Sequence, residues 1–143
     1  LPGAEKKDLA MIDIGTGTGI LSILASRMGV DNILALDIDP DVVTSAREMA
    51  MRNGAGSIDF QVMDAAFLGR DRAFGLVTAN LLPPILRTVI PLAAHLTLPG
   101  AVAIVSGIGD ASCDEMQSLM TGSGFTVKKH ITSGWWHAFL LIR

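Results

Sequence analysis

Residues 9–20 read Leu9-Ala-Met-Ile-Asp-Ile14 and then Gly15-Thr-Gly17-Thr-Gly19-Ile20. An apolar run of strand length ends in three alternate glycines, and an apolar helical pattern over residues 18–28 follows. A buried strand that turns through glycine straight into a helix is the first half of a strand–helix–strand unit, the module of parallel sheets. Gly29 stands where that helix must stop, and Ile33-Leu-Ala-Leu36 supplies the next strand.

The alternation continues to the C-terminus. Asp39 is placed to cap a second helix with Pro40 at its first position, where no N–H is needed. Val42, Ala46, Met49 and Ala50 share one face of it at helical spacing, and Gly54 closes it. Strands are expected over residues 58–63 and 74–79, and a helix over 84–96. A Pro99-Gly100 turn then leads into a fifth strand over 101–106. Ser112 with Glu115 three residues on predicts a capping box for a helix that ends near Gly122. Residues 125–132 and 136–142 read as a closing antiparallel hairpin around Ser133-Gly134. The expected fold is α/β: one domain with a doubly wound, mainly parallel sheet, helices on both faces and a C-terminal antiparallel hairpin at one edge.

Composition agrees. Half of the 143 residues are hydrophobic and 17% are charged, which excludes a disordered chain. Eleven Lys and Arg stand against 14 Asp and Glu, so a generally basic nucleic-acid binder is excluded too. Cys113 is the single cysteine, which leaves no internal disulfide and no zinc site built from several thiolates, and points to a reducing compartment. Residues 88–109 carry no Asp, Glu, Lys or Arg, but Pro91 and Pro99-Gly100 break the run, and helix, turn and strand explain it better than a bilayer.

In wound sheets ligands bind beyond the carboxyl ends of the strands, so the residues just past each strand carry the chemistry. After the first come Asp13, Gly15, Thr16, Gly17 and Gly19. Alternate glycines let backbone approach a ligand, and the helix that follows offers unpaired N–H groups. The spacing is not the dinucleotide G-x-G-x-x-G, because position 20 is Ile. After the second strand stands Asp37, suited to accept from ribose hydroxyls, and Ile38, an apolar face for a purine. After the third come Asp64, an acceptor for an adenine amino group, and Ala65, contributing backbone; after the fourth comes Asn80. Each has a plainer reading: a bare turn for the glycines, a solvated acid or part of the Asp39–Asp41 capping cluster for Asp37, core for Ile38, a turn residue for Asp64, a helix cap for Asn80. Taken together they suit a ligand with a ribose, a purine and a small charged tail and no pyrophosphate, a description that S-adenosylmethionine fits, with Asp13 near its ammonium.

Asp13–Gly19, Leu36-Asp-Ile-Asp-Pro40, Ala46-Arg with Arg52-Asn-Gly54, Ala79-Asn-Leu-Leu82 and Ser106-Gly-Ile108 occur in the order found in class I S-adenosylmethionine-dependent methyltransferases. With the Gly134-Trp-Trp hairpin they resemble the catalytic domain of the ribosomal protein L-eleven methyltransferase family over nearly the whole chain. The resemblance implies a Rossmann-like methyltransferase fold with seven strands and S-adenosylmethionine as cofactor. It implies cofactor contacts from Asp13, Gly15, Gly17, Asp37 and Ile38, with Asn80 beside the transferred methyl. It also implies amine acceptors on a protein, a ribosomal protein first, and a cytoplasmic setting. The family's substrate-recognition domain and its Phe-Gly-x-Gly-x-His-x-Thr-Thr stretch have no counterpart before the first strand, so a fragment is expected.

Two other functions compete: a non-catalytic cofactor-binding domain, and methylation of a small molecule or nucleic acid. Asn-Leu-Leu in place of Asn-Pro-Pro-aromatic argues against nucleic acid. No metal site and no general base are expected. His95, His130 and His137 lack ligand-like spacing, and Cys113 reads as a small buried residue. Of Trp135 and Trp136, at least one should pack and the other border the pocket. Lys128-Lys129 reads as a solvated strand edge.

Overall fold

The computed structural model describes residues 9–69 and 72–143. In chain order the elements are β1 (Ala10–Ile14), α1 (Ile20–Arg27), β2 (Asn32–Asp37), α2 (Pro40–Arg52), β3 (Asp59–Val62), β4 (Phe74–Asn80), α3 (Pro83–Leu96), β5 (Thr97–Gly109), α4 (Cys113–Gly122), β6 (Thr126–Ser133) and β7 (Trp136–Ile142). The seven strands form one sheet in the order β3-β2-β1-β4-β5-β7-β6. The chain divides into two compact units, Leu1–Leu68 and Gly69–Arg143. No helix among the described residues is long and apolar enough to cross a membrane.

In the first unit β1 pairs parallel with β2, and β2 with β3. Met11, Ile12 and Ile14 of β1 and Ile33, Leu34, Ala35 and Leu36 of β2 are all buried, the unbroken apolar run of strands covered on both faces. Gly29 ends α1 as expected: at φ +90 its N–H reaches the Ser26 carbonyl while the Val30 N–H reaches that of Ala25. Asp39 caps α2, accepting from the Asp41 N–H at 2.9 Å, with Pro40 first in the helix. The buried face of α2 differs from the expected one. It is Val43, Ala46 and Ala50, whereas Val42 is half-buried and Met49 exposed. The phase is set where Ala46 approaches Gly19, a contact that tolerates only small residues.

In the second unit β4 pairs parallel with β5, while β7 runs antiparallel to both β5 and β6. The hairpin is present, but its antiparallel strand is second from the edge; β6 lies outermost, largely exposed and carrying Lys128 and Lys129. The fifth strand starts at Thr97, four residues before its expected start. Pairing with β4 jumps from Phe74↔Thr97 to Leu76↔Val102, so Pro99-Gly100 is an excursion within the strand. Ladder bonds flank it, and the Gly100 N–H donates to the Arg143 carbonyl.

The Ser112–Glu115 capping box does not form. A single 3-10 turn, Asp110–Ser112, leads into α4, and the Ser112 side chain makes no cap bond. The Glu115 carboxylate instead accepts from Arg87 of α3, at 2.6 Å from Nε and 3.1 Å from Nη2. This pairing holds the Glu115 carboxyl below its ordinary range and raises the Arg87 guanidinium. Neither tryptophan of the hairpin is buried; Trp135 is 74% and Trp136 52% exposed.

Candidate functional site

The carboxyl end of β1 is built around Asp13, only 1% exposed. Its Oδ2 accepts from the Thr16 hydroxyl and the Ser22 hydroxyl, both at 2.8 Å. A buried carboxylate is tolerable when it is hydrogen-bonded, and these two donors tie the glycine turn to the first turn of α1. The Thr16 N–H donates to the Leu36 carbonyl at 2.8 Å, which anchors the turn to β2. Gly15, Gly17 and Gly19 take φ values of 71, 55 and 79, a left-handed path that L side chains resist. A Cβ on Gly17 would meet nothing within 4 Å, so its surroundings are open. A Cβ on Gly19 would lie 3.2 Å from the Phe60 ring and 3.4 Å from Ala46.

Asp37, the last residue of β2, closes this arrangement. Its Oδ2 accepts from the Gly17 N–H at 3.0 Å and its Oδ1 from the Asp39 N–H at 3.2 Å. Each oxygen has a second lone pair, so the carboxylate keeps capacity for further donors. Ile38 beside it is 72% exposed, an apolar surface in solvent, and not the core residue of its plainer reading. The Met63 N–H bonds the Asp37 carbonyl at 2.8 Å, which brings the end of β3 alongside. There Asp64 caps a 3-10 turn, accepting from the Ala66 N–H at 2.9 Å, and Ala65 is buried. The pairs Asp13–Thr16 and Gly17–Asp37 are thus joined through the Thr16–Gly17 peptide, and Asp64 follows the strand that pairs with β2.

Asn80 belongs to the second unit. It is the last residue of β4, paired with Ser106 of β5, and its exposed side chain makes no hydrogen bond among the described residues. It does not cap the helix that follows: the cap position of α3 is Leu82. Beside it the Leu81 N–H donates to the Ser106 carbonyl at 3.2 Å. Gly107, at φ +83, is a site residue that sequence reasoning missed. A Cβ there would fall 2.5 Å from the Leu81 oxygen, so the Leu81 backbone can lie where it does only against glycine. The Ser-Gly-Ile motif was the available signal.

A pocket of about 480 Å³ opens here, with Asn80, Leu81, Ser106, Gly107, Trp136 and His137 in its wall. No carboxylate, lysine or arginine lines it among the described residues. Neutral oxygen acceptors beside an indole suit an amine. His137 was not expected in this wall, because nothing in its sequence neighbourhood marks it.

Cys113 is not the small buried residue expected. It is half-buried, and its Sγ faces the rings of His130 and His137. Burial, with Asp114 and Asp110 close by, pushes its thiol pKa up.

A family model described as ribosomal protein L11 methyltransferase (PrmA) matches residues 1–143. The chain belongs to this family. Relatives named ribosomal protein L11 methyltransferase include those of Lactobacillus gasseri, 35% identical over 139 residues, and Heliobacterium modesticaldum, 32% identical over 133. The alignments cover 96% and 93% of this chain but 43% and 42% of those proteins, so the chain spans less than half of their length. A crystal structure of the ribosomal protein L11 methylase from Lactobacillus delbrueckii subsp. bulgaricus superposes with a TM-score of 0.88 at 31% identity, covering 94% of this chain and 69% of that one. An RNA methyltransferase from Salinibacter ruber, crystallised with S-adenosyl-L-homocysteine, shares the fold at a TM-score of 0.73 and 21% identity, covering 95% of this chain and 82% of that one. The expected family and the wound α/β fold with its C-terminal hairpin are therefore established.

Proposed function

We propose that this chain is the catalytic domain of an S-adenosylmethionine-dependent N-methyltransferase that modifies amines of a ribosomal protein, L11 first, in the cytoplasm. The observation that carries the reading is the family match along all 143 residues. The local geometry suits the cofactor. The turn at Gly17 is open to a ligand, Asp37 retains acceptor capacity, and Ile38 offers an exposed apolar face.

Bound S-adenosylmethionine would supply an electrophilic methyl carried on a sulfonium. Asp37 would accept from the ribose hydroxyls, Ile38 would cover one face of the purine, and Asp64 and Ala65 would border the adenine. Asp13, with Thr16, Gly17 and Gly19, would hold the glycine turn in shape near the ammonium, and Gly15 would let backbone come close. The Asn80 side-chain carbonyl and the Leu81 carbonyl orient the acceptor amine in the pocket walled by Trp136. Their task is alignment, which is worth about 7–11 kcal/mol of barrier in favourable cases. A free lysine has a pKa of about 10.4, so the amine must be neutral before attack. A pocket wall without carboxylates among the described residues helps, because it offers an ammonium no opposite charge.

Calorimetry with S-adenosylmethionine and with NAD separates the cofactor classes: binding of the first alone is expected, and binding of NAD alone overturns the reading. Mass spectrometry of L11 incubated with the chain and S-adenosylmethionine then reads the acceptor. Cofactor binding with methyl transfer to RNA or a small amine, and none to L11, would replace the substrate while keeping the cofactor.

A further inference from the structure

Three elements of the second unit converge on a cluster to which methyl transfer as proposed assigns no role, although its His137 also borders the acceptor pocket. Cys113 opens α4, His130 lies on β6 and His137 on β7. His130 Nε2 and His137 Nδ1 are 2.8 Å apart, and Cys113 Sγ lies 3.4 Å from His137 Nδ1 and 3.8 Å from His130 Nε2. One nitrogen or sulfur from each residue thus lies within 4.8 Å of the other two. We propose that Cys113, His130 and His137 form a binding site for a thiophilic divalent transition-metal ion of the Zn²⁺ class, with Asp110 as its outer-shell partner.

The distances suit such an ion. Tetrahedral zinc with Zn–N of about 2.0–2.1 Å and Zn–S of about 2.3 Å needs N···N near 3.3 Å and S···N near 3.6 Å. The two S···N separations bracket 3.6 Å, and the N···N separation of 2.8 Å is about 0.5 Å short of its target, so the imidazoles must part by that much to admit the ion. The tautomer is also set. His137 Nε2 lies 2.7 Å from Asp110 Oδ1, and since a carboxylate can only accept, that nitrogen carries the proton and donates. In the neutral ring the lone pair then sits on Nδ1, which faces Cys113 and His130. A carboxylate behind a ligating imidazole is the usual outer shell of zinc sites. His130 is held by stacking on Phe139, with ring centroids 4.3 Å apart and planes 11° from parallel. His137 is only 9% exposed, so its ring is held within the fold.

Two imidazoles and a thiolate select zinc-like ions over the hard, oxygen-seeking Mg²⁺ and Ca²⁺. Three protein ligands leave a fourth position for water. Binding replaces the thiol proton of Cys113 with a metal–sulfur bond and releases that proton to solvent; nothing is oxidised or reduced. The bound ion would pin the start of α4 to the β6–β7 hairpin.

The experiment uses the whole chain, reduced and stripped with a chelator, titrated with Zn²⁺ by calorimetry and with Co²⁺ by absorption spectroscopy. The expected result is one ion per chain, a thiolate-to-cobalt charge-transfer band, and a rise in thermal midpoint with Zn²⁺ but not Mg²⁺. Cys113→Ser should abolish the charge-transfer band, and Asp110→Asn should weaken Zn²⁺ binding about 10–100-fold. His130→Gln, at an exposed position, should weaken it more and keeps the test open if a His137 variant fails to fold; His95→Gln, on α3, should change nothing. Absence of the band, or Zn²⁺ affinity unchanged in both Cys113→Ser and His130→Gln, would overturn the site and leave a hydrogen-bonded His–Cys cluster only.

Discussion

Gly17 and Gly107 are both left-handed, yet they differ in what surrounds them. Around Gly17 a Cβ finds open space, so Gly17→Ala costs only the backbone strain of about 1–2 kcal/mol, and its larger effect should fall on cofactor binding. At Gly107 the same strain is joined by a clash with the Leu81 backbone, so Gly107→Ala should lower the denaturant midpoint clearly more. Equal midpoints for the two variants would contradict the close approach. Asp37→Ala removes an acceptor from the Gly17 N–H as well as the proposed ribose partner. Loss of one charged hydrogen bond is worth about 1.5–3 kcal/mol, so S-adenosylmethionine affinity should fall about 10–100-fold by calorimetry. Asn80, whose side chain takes no bond from the described protein, should behave oppositely. Asn80→Ala is expected to reduce kcat by about 100-fold, the scale of a misplaced reactant, with a far smaller change in cofactor affinity.

At the scale of elements, hydrogen-bond competition decided which sequence signals held. Asp39 meets no rival side-chain donor among the described residues, and with Pro40 it starts α2 as their pattern implies. The Ser112–Glu115 pattern failed because Arg87, 28 residues away in the chain, takes the carboxylate in a two-bond grip. Local spacing carries no trace of such a partner. The glycine turn and Asp37 were legible because both lie at strand ends, where alternation of apolar runs marks the boundaries. Gly107 and the Cys113–His130–His137 cluster were not, since their meaning depends on strand register and on three separate elements. The Arg87–Glu115 pair has a pH signature. Pairing depresses the Glu115 pKa in the fold, so its contribution is full above the ordinary glutamate range and disappears as pH falls through the lowered value. Glu115→Gln should therefore lower the unfolding midpoint slightly at pH 7, and the gap to the unsubstituted chain should close in acid. A gap that persists at pH 2 would mean that the carboxylate acts through packing.

Over the whole molecule, the proposed ligand sets fall on different parts of the chain: Gly17, Asp37 and their neighbours before Leu68, and Cys113, His130 and His137 after Gly69. The group Asp13, Thr16, Gly17 and Asp37 and the triad Cys113, His130 and His137 share no residue, so the two proposed ligands should act on stability through separate linkages. A ligand that binds only the native state at 100 times its Kd adds about 2.7 kcal/mol, which for a chain of this size is roughly 8–11 °C in thermal midpoint. S-adenosylmethionine and Zn²⁺ should each raise the midpoint alone, and together by close to the sum of their free-energy increments. Asp37→Ala should remove the first increment and spare the second, and His130→Gln the reverse. If His130→Gln erased the response to S-adenosylmethionine as well, the cluster would belong to the methyl-transfer machinery and the two ligand sets would be one.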